Sequence, residues 1–237
     1  MPSGDPLVEL RDVIKDYRGL RPLRIRTLEL RQGQSLAVLG LDHAMAEVLV
    51  NLITGAHLPD TGVVAVFGEP TTAITDADAW VRTLDRFGLI SERAVLVEQL
   101  TVEQNRAMPL SLELEDLPLA LRAQVRALAD EVSLTSAELA SPTGTLSPGA
   151  RLRLRLGRAL ALNPRVLVAE HPNATLSPAE APVFAADLAR VSRARDLACL
   201  VLTADRTFAS AVADEVLSFE AATGAFTAAS GWRRWFG

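Results

Sequence analysis

The sequence predicts an α/β fold with a mostly parallel core sheet and an inserted α-helical portion. Three observations carry this. Short apolar bursts recur along the chain, among them Ser35-Leu36-Ala37-Val38-Leu39 and Val166-Leu167-Val168-Ala169, each bounded by Gly, Pro or charge. Continuous short apolar runs mark strands buried on both faces of a parallel sheet. Helical spacing falls between most of the bursts, as strand–helix–strand connections require. The alternation is broken once, from about residue 101 to 145, by a long stretch of helical character. With 237 residues and 49% apolar composition, the chain can bury a large core.

Taken in order, Leu7 to Val13 alternates apolar and polar residues as a half-buried strand does, and a second alternating run, Leu23 to Leu30, follows a turn near Gly19. Gly33 leads into the burst at 35–39, which stops at Gly40. Ala44 to Ile53 then has helical spacing, with Gly55 where a helix stop belongs. Further strands are expected at 63–67, 87–90, 165–169, 197–203 and 215–219, and further helices at 117–132, 148–162 and 178–193.

The net charge of −5 argues against nucleic acid, whose phosphates call for a basic surface. Mean hydropathy is high, +0.20, yet no unbroken apolar run is long enough to span a bilayer. The first residues lack a basic region followed by an apolar stretch, so no secretory signal is expected, and the cytoplasm is the expected compartment. The single cysteine, Cys199, lies in an apolar run and is expected to be a buried core thiol. Lys15 is the only lysine.

The strand-to-helix junction Leu39-Gly40-Leu41-Asp42-His43-Ala44-Met45-Ala46-Glu47 is placed as a phosphate-binding loop would be, with helix N–H groups facing an anion. Against the pattern G-x-x-x-x-G-K-[ST], Gly40 matches the first position. Downstream come Leu146-Ser147-Pro148-Gly149-Ala150, then Arg158-Ala159-Leu160-Ala161-Leu162-Asn163-Pro164, then Val166-Leu167-Val168-Ala169-Glu170-His171-Pro172. Val201-Leu202-Thr203-Ala204-Asp205 follows, and upstream stand Leu100-Thr101-Val102-Glu103-Gln104-Asn105 and Met108-Pro109-Leu110. In order and spacing this set resembles the ABC-transporter ATPases: the LSGGQ signature, the Walker B strand, the switch strand and the start of the helical subdomain. The resemblance runs from about residue 7 to about 220. It implies one P-loop NTPase-like domain, 1–237, with a mostly parallel core sheet, an N-terminal antiparallel β subdomain and a helical subdomain at about 92–162 inserted in the core.

The same resemblance places Ala46 at the Walker A lysine, Glu47 at the magnesium-binding hydroxyl and Glu92 at the Q-loop glutamine. It places Pro148 and Ala150 in the signature, Glu170 at the Walker B aspartate, His171 at the catalytic glutamate, Ser177 at the D-loop aspartate and Ala204 at the switch histidine. Asp42 and Glu47 would also stand near phosphate oxygens, each repelling them by on the order of 4 kcal/mol at about 4 Å and an effective dielectric near 20. The expectation is therefore a chain that is no enzyme, a pseudo-ATPase subunit without bound cofactor or metal. It would pair with an active ATPase subunit or a second copy and dock on a permease at the cytoplasmic face of the inner membrane.

Ser147 and Gly149 persist at the start of a helix, so a second reading has them complete a Mg-ATP site with the partner; Pro148 suits the first helical turn there. A third reading is a regulatory or scaffold module outside transport. Tyr17 falls where the family stacks adenine, or is a half-exposed turn tyrosine. His43 and His171 lack a clear third metal ligand. Arg151, Arg153, Arg155 and Arg158 read as a solvated basic face. Glu92 to Leu110 is the expected permease contact, and Trp232 and Trp235 in the C-terminal tail are candidate anchors, or part of an end that folds back. Asp116-Leu117-Pro118 and the helix after it look like the Mla/Mce-type ATPases of phospholipid transport.

Overall fold

The computed structural model describes residues 4–229; Trp232 and Trp235 lie outside them. Two sheets organise the chain. The first is antiparallel, in the order β2-β1-β4-β5, formed by β1 (Val8–Lys15), β2 (Leu23–Leu30), β4 (Thr61–Val66) and the two-residue β5 (Glu69–Pro70). The second runs β10-β9-β3-β8-β7-β6, from β3 (Ser35–Leu39), β6 (Phe87–Ile90), β7 (Val166–Glu170), β8 (Ala198–Leu202), β9 (Glu215–Glu220) and β10 (Ala225–Ala228). Every pairing in it is parallel except that of the edge strand β10 with β9. The expected α/β class with a mostly parallel core sheet and an antiparallel N-terminal sheet is thus the observed one.

The pleat explains why the central strands are apolar throughout. Along β3, Leu36 and Val38 face one core while Ala37 and Leu39 face the other; β7 and β8 divide their side chains in the same way. The first core packs the sheet against the antiparallel sheet and α1 (His43–Ile53). The second packs it against α4 (Leu119–Glu131), α6 (Pro148–Ala159), α7 (Glu180–Ala194) and α8 (Arg206–Val212). Strands buried on both faces need apolar side chains at every position. Cys199 is fully buried in β8, and burial raises its thiol pKa.

Between β6 and β7 the expected long helical stretch is three helices, α3 (Val102–Ala107), α4 and α5 (Ser136–Ala140), with turns at 108–118. Thr101 and Thr135 open α3 and α5 with capping boxes to Gln104 and Glu138; the reciprocal bonds satisfy N–H groups that short helices leave free. Asn105, fully buried, holds the preceding turn. Its Oδ1 accepts from the Val97 N–H at 2.9 Å and its Nδ2 donates to the Val97 carbonyl at 2.8 Å and to Thr143 Oγ1 at 2.9 Å.

The arginines of α6 are not a free solvated face. Arg153 pairs with Asp187 of α7 at 2.8 Å, and Arg158 donates to the Val95 carbonyl at 2.7 Å. Burial lowers the pKa of both Arg155 and Arg158. The ridge fixes the turn after β6 onto α6.

Candidate functional site

The crevice sits at the carboxyl ends of β3, β6, β7 and β8, where open parallel sheets bind ligands. β3 ends at Gly40, whose φ of +92° and whose missing Cβ, only 2.9 Å from the Phe219 carbonyl oxygen, both require glycine. Asp42 caps α1, its carboxylate accepting from the Met45 N–H at 2.8 Å. The anion-favouring end of this helix therefore already carries a carboxylate. Ala46 is fully buried in the core rather than facing the crevice.

Glu47, one turn along α1, and Glu170, at the end of β7, converge on a side chain that the sequence reading did not single out. Arg93 donates Nη1 to Glu47 at 3.1 Å and Nη2 to Glu170 at 2.8 Å. Glu47, expected to stand near phosphate oxygens, is paired with a cation. Ser91-Glu92-Arg93 directly after an apolar strand was the only available signal, and it is a weak one.

His171, next to Glu170, is nearly buried, adopts a left-handed φ of 43° and donates its backbone N–H to the Leu202 carbonyl at 2.8 Å. Its ring lies 4.2 Å from that of His43, centroid to centroid. Burial first, and then the neighbouring His43, hold its imidazole pKa below the ordinary value. Together with Glu92 these groups line a cavity of about 380 Å³. No cluster of His, Cys, Asp or Glu among the described residues is arranged to hold a metal.

Tyr17 lies at a neighbouring cavity of about 400 Å³ with Asp42, Ala44 and Met45. Desolvation, and secondarily Asp42, raise its pKa. Ala204 is exposed after β8, where Thr203 donates to Asn173 at 2.8 Å and Asn173 to Asp205 at 3.2 Å.

At a separate helix start, Ser147 caps α6 and Pro148 occupies its first position. The Gly149 N–H donates to Glu180 Oε1 at 3.1 Å. Hydrogen bonds from Ser177, and then from Gly149, hold the Glu180 carboxyl below its usual range. Glu92 is exposed at the start of the turn that Arg155 and Arg158 pin.

The resemblance implies a triphosphate and a divalent ion in the main crevice. As arranged, the chain's own residues do not fit them: Asp42 holds the helix start, and the Arg93 guanidinium takes the place between Glu47 and Glu170 that a hard cation would use.

A sequence model of the family described as "ABC transporter" matches residues 23–174. The chain is 34% identical over 203 residues to the phosphonates import ATP-binding protein PhnC of Anaeromyxobacter dehalogenans, covering 83% of this chain and 40% of that protein. It is 30% identical over 200 residues to the methionine import ATP-binding protein MetN of Photorhabdus laumondii, covering 84% and 57%. It therefore spans about half the length of the curated relatives it matches. Two solved structures share its fold. The dimeric bacterial ABC transporter cassette MJ0796 superposes with a TM-score of 0.78 at 19% identity, over 95% of this chain and 100% of that one. CbiO1 of Clostridium perfringens, part of the transporter complex CbiONQ, gives 0.81 at 18%, over 94% and 88%.

These relatives overturn one expectation. The replacements at Ala46, Glu170, His171 and Ala204 lead to the expectation of a non-enzyme, a pseudo-ATPase. Relatives this similar are named as ATP-binding import proteins, so that reading does not stand. The family match over more than half the chain, with a fold that ABC transporter structures share, places it: the chain belongs to the ABC transporter family.

Proposed function

We propose that the chain is an ATP-binding subunit of a membrane import complex. It takes part in ATP turnover by lending Ser147 and Gly149 to a nucleotide held mainly by a second, different ATPase subunit. The observation that carries this is the Glu180 carboxylate on the Gly149 N–H. It marks the start of α6 as a place where this protein already seats an anion, as helix N-termini favour. Glu180 is half-buried and outside the hydrophobic cores, so an incoming phosphate can displace it without breaking the core.

The test is ATPase activity of the reconstituted complex. Ser147→Ala is expected to lower turnover about tenfold, the loss of one charge-assisted contact; unchanged turnover would sink the shared-site reading. On the isolated chain, calorimetry is expected to show no tight Mg-ATP binding, with binding appearing once the partner is added.

Docking on a permease is supported by a cleft of about 340 Å³ beside the turn after β6, with Leu84, Phe87, Leu89 and Leu162 on its walls and Arg155 and Arg158 at its edge. Val95, 71% exposed, lies on the same turn. An amphipathic segment of a permease fits such a groove. No helix among the described residues is long and apolar enough to cross a membrane; in this reading the partners hold the chain at the cytoplasmic face.

The names of PhnC and MetN favour import of a small polar solute. Phospholipid transport, suggested by Asp116-Leu117-Pro118 ahead of α4, is the second reading; assaying solute uptake against lipid transfer by the reconstituted complex separates the two. Failure to bind any permease would favour a regulatory module outside transport.

A further inference from the structure

We propose that Arg93 is the resident cation of the main crevice, a tethered guanidinium that does between Glu47 and Glu170 what a divalent ion does between two carboxylates. In doing so it latches the turn after β6 to α1 and β7.

Charge balance gives the first argument. Glu47, Glu92 and Glu170 line the cavity, and among the described residues Arg93 is the only arginine or lysine that does. His43 and His171 do not make up the deficit, since the buried His171 imidazole is disfavoured as a cation. Glu170 is only 9% exposed, and a carboxylate so placed is costly without a partner.

Geometry gives the second. A guanidinium presents a rigid fork of N–H donors, and here the two terminal nitrogens serve different carboxylates, at 3.1 and 2.8 Å. A divalent ion needs the same oxygens at about 2.0–2.6 Å, so ion and guanidinium exclude each other.

The surroundings give the third. The chain following Arg93 is already tied down on its other side, the Val95 carbonyl accepting from Arg158 at 2.7 Å. The turn therefore bridges the sheet and α6, and Arg93 is its attachment on the sheet side. A side chain that merely covered the surface would not need two carboxylates from elements 46 and 77 residues away in sequence.

The test uses the full chain without nucleotide, titrated with Mn2+ and read by the loss of the free-ion electron paramagnetic resonance signal. Wild type is expected to show no site tighter than millimolar. Arg93→Ala and Arg93→Gln are expected to expose the carboxylate pair and to gain a single site at least about tenfold tighter. Adding Glu170→Gln to Arg93→Ala should abolish that site. In thermal unfolding, both single variants should melt below wild type and recover with Mn2+, whereas wild type should not respond. Wild-type binding as tight as that of Arg93→Ala, or no new site in either folded variant, would overturn the proposal. The readout involves neither nucleotide nor partner subunit, so its failure is distinct from failure of the shared-site reading.

Discussion

Replacing Arg106 with methionine is expected to stabilise the protein, which is unusual for a fully buried position. Arg106 lies in α3 with none of its surface exposed, and its Nε, Nη1 and Nη2 have no hydrogen-bond partner. Burial pushes its pKa from the ordinary guanidinium value down to about 10, partly offset by Glu131 and Asp130. At about 1.4 kcal/mol per tenfold, that difference amounts to roughly 3 kcal/mol against the charged form at neutral pH.

Methionine keeps the apolar stem and removes the charge. It also leaves part of the guanidinium's space empty, so the expected net gain is about 1–3 kcal/mol. In a chain of this size that corresponds to roughly 3–10 °C in Tm.

The space itself is set by Gly157 of α6: a Cβ there would lie 2.1 Å from Arg106 Nη1. Gly157→Ala alone should therefore lose about 1–3 kcal/mol despite alanine's better helix propensity. In the Arg106→Met background the same change should be tolerated, with a coupling of at least about 1 kcal/mol. Because the folded-state pKa is depressed, the penalty is complete below about pH 10 and is relieved as pH rises from there toward the ordinary guanidinium value. The gap between variant and wild type should thus be constant near neutrality and narrow only above pH 10. The assay is urea and thermal unfolding of the four proteins of the cycle. Loss of more than about 1 kcal/mol in Arg106→Met with the fold intact, or additivity of the two changes, would refute the argument.

Three further outcomes are expected. His171 has a depressed folded-state pKa, so its contribution is present above the ordinary histidine value and is lost as pH falls through the folded value. Urea midpoints should drop on acidification below about pH 6.5, and less steeply in His171→Asn, which tolerates the left-handed backbone. Gly40→Ala should cost about 2–4 kcal/mol in thermal unfolding, from a φ of +92° and the Phe219 carbonyl at 2.9 Å. Asn105→Ala, which leaves the Val97 N–H without its partner and the Val97 carbonyl with only the Leu100 N–H, should cost about 2–3 kcal/mol and speed amide exchange at Val97.

Much of the framework was legible in local pattern. The burst at 35–39 is β3 to the residue, and the alternating run 23–30 is β2. Ser147-Pro148 marked the start of α6 because capping chemistry is written in adjacent residues. Two helices went unread: α2 (Ala77–Leu84), which buries no residue fully, and α8, only seven residues long. Periodicity needs a buried face and several turns to show itself.

By itself the sequence determined the α/β framework, the glycine at the end of β3, the loop-to-helix junctions and the family, because these rest on neighbours a few residues apart. Tertiary structure alone decided where the charges went. Glu47 and Asp42 stood equally near the loop in sequence, yet one caps α1 and the other meets Arg93. Gly149 met Glu180, 31 residues on, and Gly157 made room for Arg106, far back in α3. Pairings over such distances depend on which strands are adjacent and in what register. Coulomb and hydrogen-bond forces act through space, and only the folded chain sets those distances.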